Sequence, residues 1–132
     1  MTDDQLSGSC LCGRIRWRAR APMRAISACH CTQCRKWTGH FGAFTGIALA
    51  DVDIDGEDAI TWYRASPIAR RGFCATCGST LFWQPDAEPR LAIAAGSIDG
   101  PSGLVLDRHI FCADKGDYYA IEPGVPQFAG DD

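Results

Sequence analysis

Residues 14–20, Arg-Ile-Arg-Trp-Arg-Ala-Arg, alternate strictly between arginine and an apolar side chain. A period of two marks a half-buried strand, with Ile15, Trp17 and Ala19 facing a core and Arg14, Arg16, Arg18 and Arg20 facing solvent. Pro22 ends the segment. Residues 25–31 read as a short strand, and residues 32–37 as a helical turn with Thr32 as its N-cap. Further strands are predicted at 41–49, 59–64, 69–73, 79–83, 91–95, 105–111 and 118–121. Most are rich in β-branched or aromatic residues, with Gly, Pro, Asp or Ser turns between them. No segment keeps an amphipathic 3.6-residue period over 11 residues or more. The pattern predicts a mainly β chain with few short helices.

Length and charge narrow the function classes. The chain has 132 residues and a net charge of 13 − 16 = −3. This size suits one hydrophobic core, and no linker or low-complexity stretch divides residues 1–132, so a single domain is expected. A hydrophobic share of 46% with 22% charged residues belongs to a folded chain. No apolar run approaches the ~20 residues needed to cross a bilayer, and the polar, acidic start does not resemble a secretory signal. A mildly acidic protein has no general pull toward nucleic acid or anionic membranes. Eight cysteines without a secreted context point to metal before disulfides, and to the reducing cytoplasm.

The cysteines fall in three clusters and a singleton, Cys112. Cys10-Leu11-Cys12-Gly13 and Cys74-Ala75-Thr76-Cys77-Gly78 are two glycine-closed pairs. A turn around an ion needs a positive φ just after the ligand, which glycine supplies without steric cost. Its N–H groups can then donate to the sulfurs. The two half sites together predict one four-thiolate structural zinc at Cys10, Cys12, Cys74 and Cys77.

The third cluster, Cys29-His30-Cys31-Thr32-Gln33-Cys34, offers three sulfurs. Three protein ligands with one open position is the pattern of a reactive zinc, and the chain is expected to carry two Zn²⁺. Two alternatives stay open on the residues alone. Cys112, His40 or His109 could close the site as a fourth ligand, or Cys31 and Cys34 could form a redox pair. Three thiolates give an electron-rich zinc, better suited to a soft substrate thiol than to activating water. His30, extended between two ligands, should point away from the metal as a structural residue. His40 reads as a loop residue. His109 reads as a core histidine or as a hydrogen-bond donor to the reacting group. Arg35, Lys36, Arg70, Arg71, Arg108 and Lys115 are surface cations or carboxylate ligands. Ser97 and Asp99 read as backbone caps in a turn, and Trp37 and Trp83 as core.

At these residues the chain resembles the glutathione-dependent formaldehyde-activating enzyme family, which shares its domain with centromere protein V. The resemblance is carried by C-x-C-G at 10–13, CHC-x-QCRK-x-TG at 29–39 and Phe41-Gly42-Ala43-Phe44. It continues through Phe73-Cys74-x2-Cys77-Gly78-Ser79-x-Leu81-Phe82-Trp83, Gly96-Ser97-Ile98-Asp99 and His109-Ile110-Phe111. It implies a β-tent fold of coiled, mostly antiparallel sheets with zinc knuckles, and the two zinc sites named above. It further implies a carbon–sulfur lyase that condenses glutathione with formaldehyde, so a small thiol and a small aldehyde are the expected partners. Phe111 stands where the family often has Trp, Gly116-Asp117 where it has Pro-Trp, and Cys112 lies outside its pattern. Two other functions remain compatible with a zinc-held β scaffold: a protein-binding module, and a thiol or zinc sensor.

Overall fold

The computed structural model describes residues 5–131. Its strands are β1 (Ser7–Ser9), β2 (Arg16–Ala19), β3 (Ile26–Cys29), β4 (Gly42–Ala48), β5 (Val52–Asp55), β6 (Ile60–Tyr63), β7 (Ala69–Cys74), β8 (Thr80–Pro85), β9 (Arg90–Ala94) and β10 (Leu106–Ile110). One α-helix, α1 (Thr32–Thr38), joins β3 to β4, and the remaining helical pieces are single 3₁₀ turns. The chain is mainly β, as its alternation requires.

The strands form a three-stranded sheet, β1-β2-β5, and a seven-stranded sheet, β10-β3-β4-β9-β8-β7-β6. Every pairing is antiparallel except β10 against β3, where His109 lies opposite Ala28 and Ile110 opposite Cys29. In β2 the arginines are exposed while Trp17 and Ala19 are buried, the division that the alternation predicts. These apolar side chains join Val52 of β5, Ile47 of β4, Leu81 and Phe82 of β8 and Leu91 and Ile93 of β9 in one core between the sheets. Trp17 is 2% exposed, and its indole N–H donates to Ser97 Oγ at 3.0 Å. Ser97 in turn donates to Ala94 O at 2.8 Å, the capping role expected of it.

Three expectations about elements need correction. Residues 118–121 form no strand; no neighbouring strand offers them a ladder, and the rings of Tyr118 and Tyr119 pack on histidines instead. The strands β1 and β5 were not expected. Ser7–Ser9 is extended because it pairs with Arg16–Arg18 and not because of its own residues. The N-cap of α1 is Cys31 and not Thr32: the Cys31 sulfur accepts from the Cys34 N–H at 3.3 Å, the bond an N-cap oxygen would otherwise take.

Trp17 spans the space between the sheets, so Trp17→Ala should cost about 3–5 kcal/mol in denaturant unfolding. Trp17→Phe keeps much of the burial, loses the bond to Ser97, and should cost less.

Candidate functional site

Cys10 and Cys12 lie in the turn after β1, while Cys74 ends β7 and Cys77 lies in the turn between β7 and β8. Their four sulfurs all lie within 4.8 Å of one another. Cys10 Sγ is 3.6 Å from Cys12 Sγ, and Cys12 Sγ is 3.8 Å from Cys74 Sγ. Sulfurs about 2.3 Å from a tetrahedral zinc are about 3.8 Å apart, so the donor set fits that ion. The two turns are built alike. Gly13 has φ +79° and donates to Cys10 O, and Gly78 has φ +80° and donates to Cys74 O. Backbone N–H groups reach the sulfurs, from Ile15 to Cys10 at 3.3 Å and from Thr76 to Cys74 at 3.4 Å. Ser79 Oγ lies 3.2 Å from Cys77 Sγ, and this hydrogen bond is the largest cause lowering that thiol to about 5. The same oxygen accepts from Leu11 N at 2.9 Å, tying one turn to the other.

The second cluster sits at a strand-to-helix junction. Cys29 ends β3, Cys31 caps α1 and Cys34 lies in its first turn. Their sulfurs also fall within 4.8 Å of one another, and among the described residues no His, Asp, Glu or further Cys joins them. Contact with Cys29 pulls the Cys31 thiol well below its ordinary value, while contact with Cys31 pushes Cys29 well above. β4 runs close behind: a Cβ on Gly42 would stand 3.1 Å from Cys34 Sγ and 2.9 Å from the Phe44 ring. All eight cysteines are free.

The residues weighed as fourth ligands lie elsewhere. His40 Nδ1 is hydrogen-bonded to the Tyr118 hydroxyl at 2.6 Å. His30 is fully buried and points away from the sulfurs, as the extended C-H-C segment predicts. Its Nδ1 meets the Tyr119 hydroxyl at 2.5 Å and its Nε2 meets His109 Nδ1 at 2.9 Å. Burial first, then the neighbouring His109, lowers His30 to about 4, so it is a neutral link in this network. His109 therefore sits in a histidine–tyrosine cluster and does not line the cavity described next.

That cavity, of about 820 Å³, opens beside the triplet on the face of the large sheet turned away from the core. Cys29, Cys31 and Cys34 form part of its wall, with Phe44, Ile68, Trp83 and Ile110 as its apolar lining. The period of two decides this. In β4, Phe44 faces the cavity and Ile47 the core, and in β9, Ala92 faces the cavity and Leu91 and Ile93 the core. Trp83, expected in the core, lines the cavity instead, and Arg90 lies over its ring at 5.5 Å. Arg24, Arg90 and Arg108 line it together with Asp107, Asp114 and Asp131. Phe111 also borders it, held at φ +54°, a left-handed conformation that bulky residues seldom adopt.

Of the cations weighed as carboxylate ligands, Arg71 and Arg108 line the cavity, while Arg70 stacks on Trp62 at 3.9 Å and bonds Gln84. Arg71 is buried against Cys34. Reading the sequence did not single out its place there. The available signal was an arginine sharing the strand parity of buried Ala69.

Gly42→Ala should crowd Cys34 and Phe44 and cost about 1–3 kcal/mol in thermal unfolding. Gly96→Ala, whose added Cβ meets nothing within 4 Å, should stay within about 0.5 kcal/mol of the parent.

Comparison with known proteins places this geometry in a family. The chain is 28% identical over 130 residues to an uncharacterised lyase of Schizosaccharomyces pombe, covering 97% of this chain and 93% of that protein. It is 31% identical over 129 residues to a protein of Halomonas elongata named provisionally as a glutathione-dependent formaldehyde-activating enzyme, covering 89% and 81%. The crystal structure of a Rhodobacter sphaeroides protein shares the fold, with a TM-score of 0.62 at 19% identity, covering 92% of this chain and 98% of that one. Residues 5–114 match the family described as glutathione-dependent formaldehyde-activating enzyme, and the chain belongs to that family.

Proposed function

We propose that this protein is a zinc-dependent carbon–sulfur lyase that joins a glutathione-like thiol to a small aldehyde such as formaldehyde, and splits the adduct in reverse. The observation that carries the reading is a group of three cysteine sulfurs, with no fourth ligand among the described residues, forming the wall of a cavity of about 820 Å³. Cys10, Cys12, Cys74 and Cys77 would hold a structural zinc, and Cys29, Cys31 and Cys34 the second. An ion held by the triplet would supply a Lewis acid able to take a soft ligand such as a thiol.

The chain's own residues do the rest. The substrate sulfur bonds to the carbonyl carbon, the C=O π bond opens, and the thiol proton ends on the oxygen. Holding both reactants in one cavity removes much of the entropy cost of meeting. Phe44, Trp83 and Ile110 exclude water around them, and Ser27, Thr32 and Gln33 supply polar groups for the developing hydroxyl. Four arginines, Arg71 among them, and three aspartates along the wall suit a peptide thiol that carries carboxylates and an ammonium. His109 is not assigned the donor's role, because its side chain bonds His30. Eight free thiols favour a cytoplasmic setting.

Calorimetry tests the thiol. Glutathione should bind the zinc-loaded protein, and formaldehyde added next should disappear faster than in a buffer control. Cys31→Ser should abolish both. Binding unchanged in that variant overturns the mechanism.

Metal analysis tests the division of labour. Cys31→Ser should retain the parent's melting behaviour while zinc falls from two to one per chain. Cys12→Ser or Cys77→Ser should give insoluble or loosened, zinc-depleted protein, because metal binding there contributes to folding.

A further inference from the structure

Arg71 is 4% exposed, and among the described residues its guanidinium pairs with no carboxylate. Its Nη1 and Nη2 each lie 3.7 Å from Cys34 Sγ, and Nη2 also donates to Gln33 Oε1 at 3.2 Å. The Trp37 ring lies 5.0 Å from its central carbon, and its Nε is buried without a partner. A buried cation is costly unless it meets an opposite charge. The charge this one meets is sulfur.

The need is mutual. Three thiolates on a divalent ion carry a formal −1, and a substrate thiolate in the fourth position makes it −2. At the four-cysteine site, Cys12 is exposed and backbone N–H groups reach Cys10 and Cys74, so water and the turns stabilise the charge. Cys34 is buried, and among the described residues the N–H groups that donate to its sulfur are those of Arg71. The fork of the guanidinium reaches that sulfur through two nitrogens, which a lysine ammonium does not reproduce.

We infer that Arg71 is the fixed counter-charge of the triplet: a positioning residue that strengthens metal binding by Cys29, Cys31 and Cys34 and lets the site accept an anionic thiolate. The inference rests on the reading that the triplet holds zinc, and the test separates the two. Zinc affinities are measured at both sites by competition with a chromophoric chelator, in the parent, Arg71→Met and Arg71→Lys. In Arg71→Met the triplet should lose about 10- to 100-fold in zinc affinity while the four-cysteine site is unchanged. Arg71→Lys should recover part of that loss, because it keeps the charge without the fork. Glutathione affinity of the zinc-saturated protein should fall in the same order.

If Arg71→Met is insoluble, Arg71→Gln carries the same comparison, losing the charge but keeping a polar end. Two zinc ions in the parent with equal triplet affinity in a folded, uncharged variant overturns the role of Arg71 and leaves the proposed function standing. An equal loss at both sites also overturns it, by showing a purely structural effect. A parent that binds only one zinc overturns the functional reading, and this inference with it.

Discussion

Cys12 and Cys74 stand 62 residues apart in the chain and 3.8 Å apart in space. Sulfurs this close repel one another as thiolates unless a cation lies among them, and backbone N–H groups alone do not remove that repulsion. Much of the remaining architecture follows from where these four converge. Cys10 and Cys12 follow β1, an edge strand of the small sheet, and Cys74 and Cys77 lie at the β7–β8 connection, one strand in from the edge strand β6 of the large one. Trp17 and Ala19 of the small sheet share one core with Leu81 and Ile93 of the large one. Two turns closed by glycine at φ +79° and +80° are the local condition for it.

With one face of the seven-stranded sheet covered, its other face is free to form a site. The strands β4, β8 and β9 then contribute to both. Ile47, Leu91 and Ile93 belong to the core, while Phe44, Ala92 and Trp83 line the cavity. A shift of one residue in β9 would exchange the two sets, so core packing also fixes the register of the cavity wall. The triplet lies where this wall meets α1, at the end of the strand β3 that pairs with β4 on one side and β10 on the other.

The electrostatics differ on the two sides of that strand. Toward the cavity gather the sulfurs of Cys29, Cys31 and Cys34, and the guanidinium of Arg71 lies against the last of them. On the opposite side, His30, His109 and Tyr119 form a hydrogen-bonded network in which burial disfavours a charged imidazole. One short C-H-C segment serves both sides because successive side chains of extended backbone point opposite ways. A neutral network behind the strand adds no negative charge to a sulfur-rich front.

Alternation along residues 14–20, the glycine-closed cysteine pairs and the C-H-C triplet were legible in the sequence because each is a local pattern with a local cause. They carried the mainly β class, the outward arginines, the grouping of Cys10 and Cys12 with Cys74 and Cys77, and the turn of His30 away from the sulfurs. Tertiary structure decided what depends on partners distant in the chain. Ser7–Ser9 became a strand only through pairing with β2, and residues 118–121 did not become one because no ladder was within reach. Trp83 and Arg71 show the same limit in the site. Hydropathy puts a tryptophan in the core and an arginine on the surface. The parity of their strands turned Trp83 to the cavity wall, and a buried sulfur drew Arg71 inside, because a side chain's burial follows its partners, which for these residues lie on other strands or on α1.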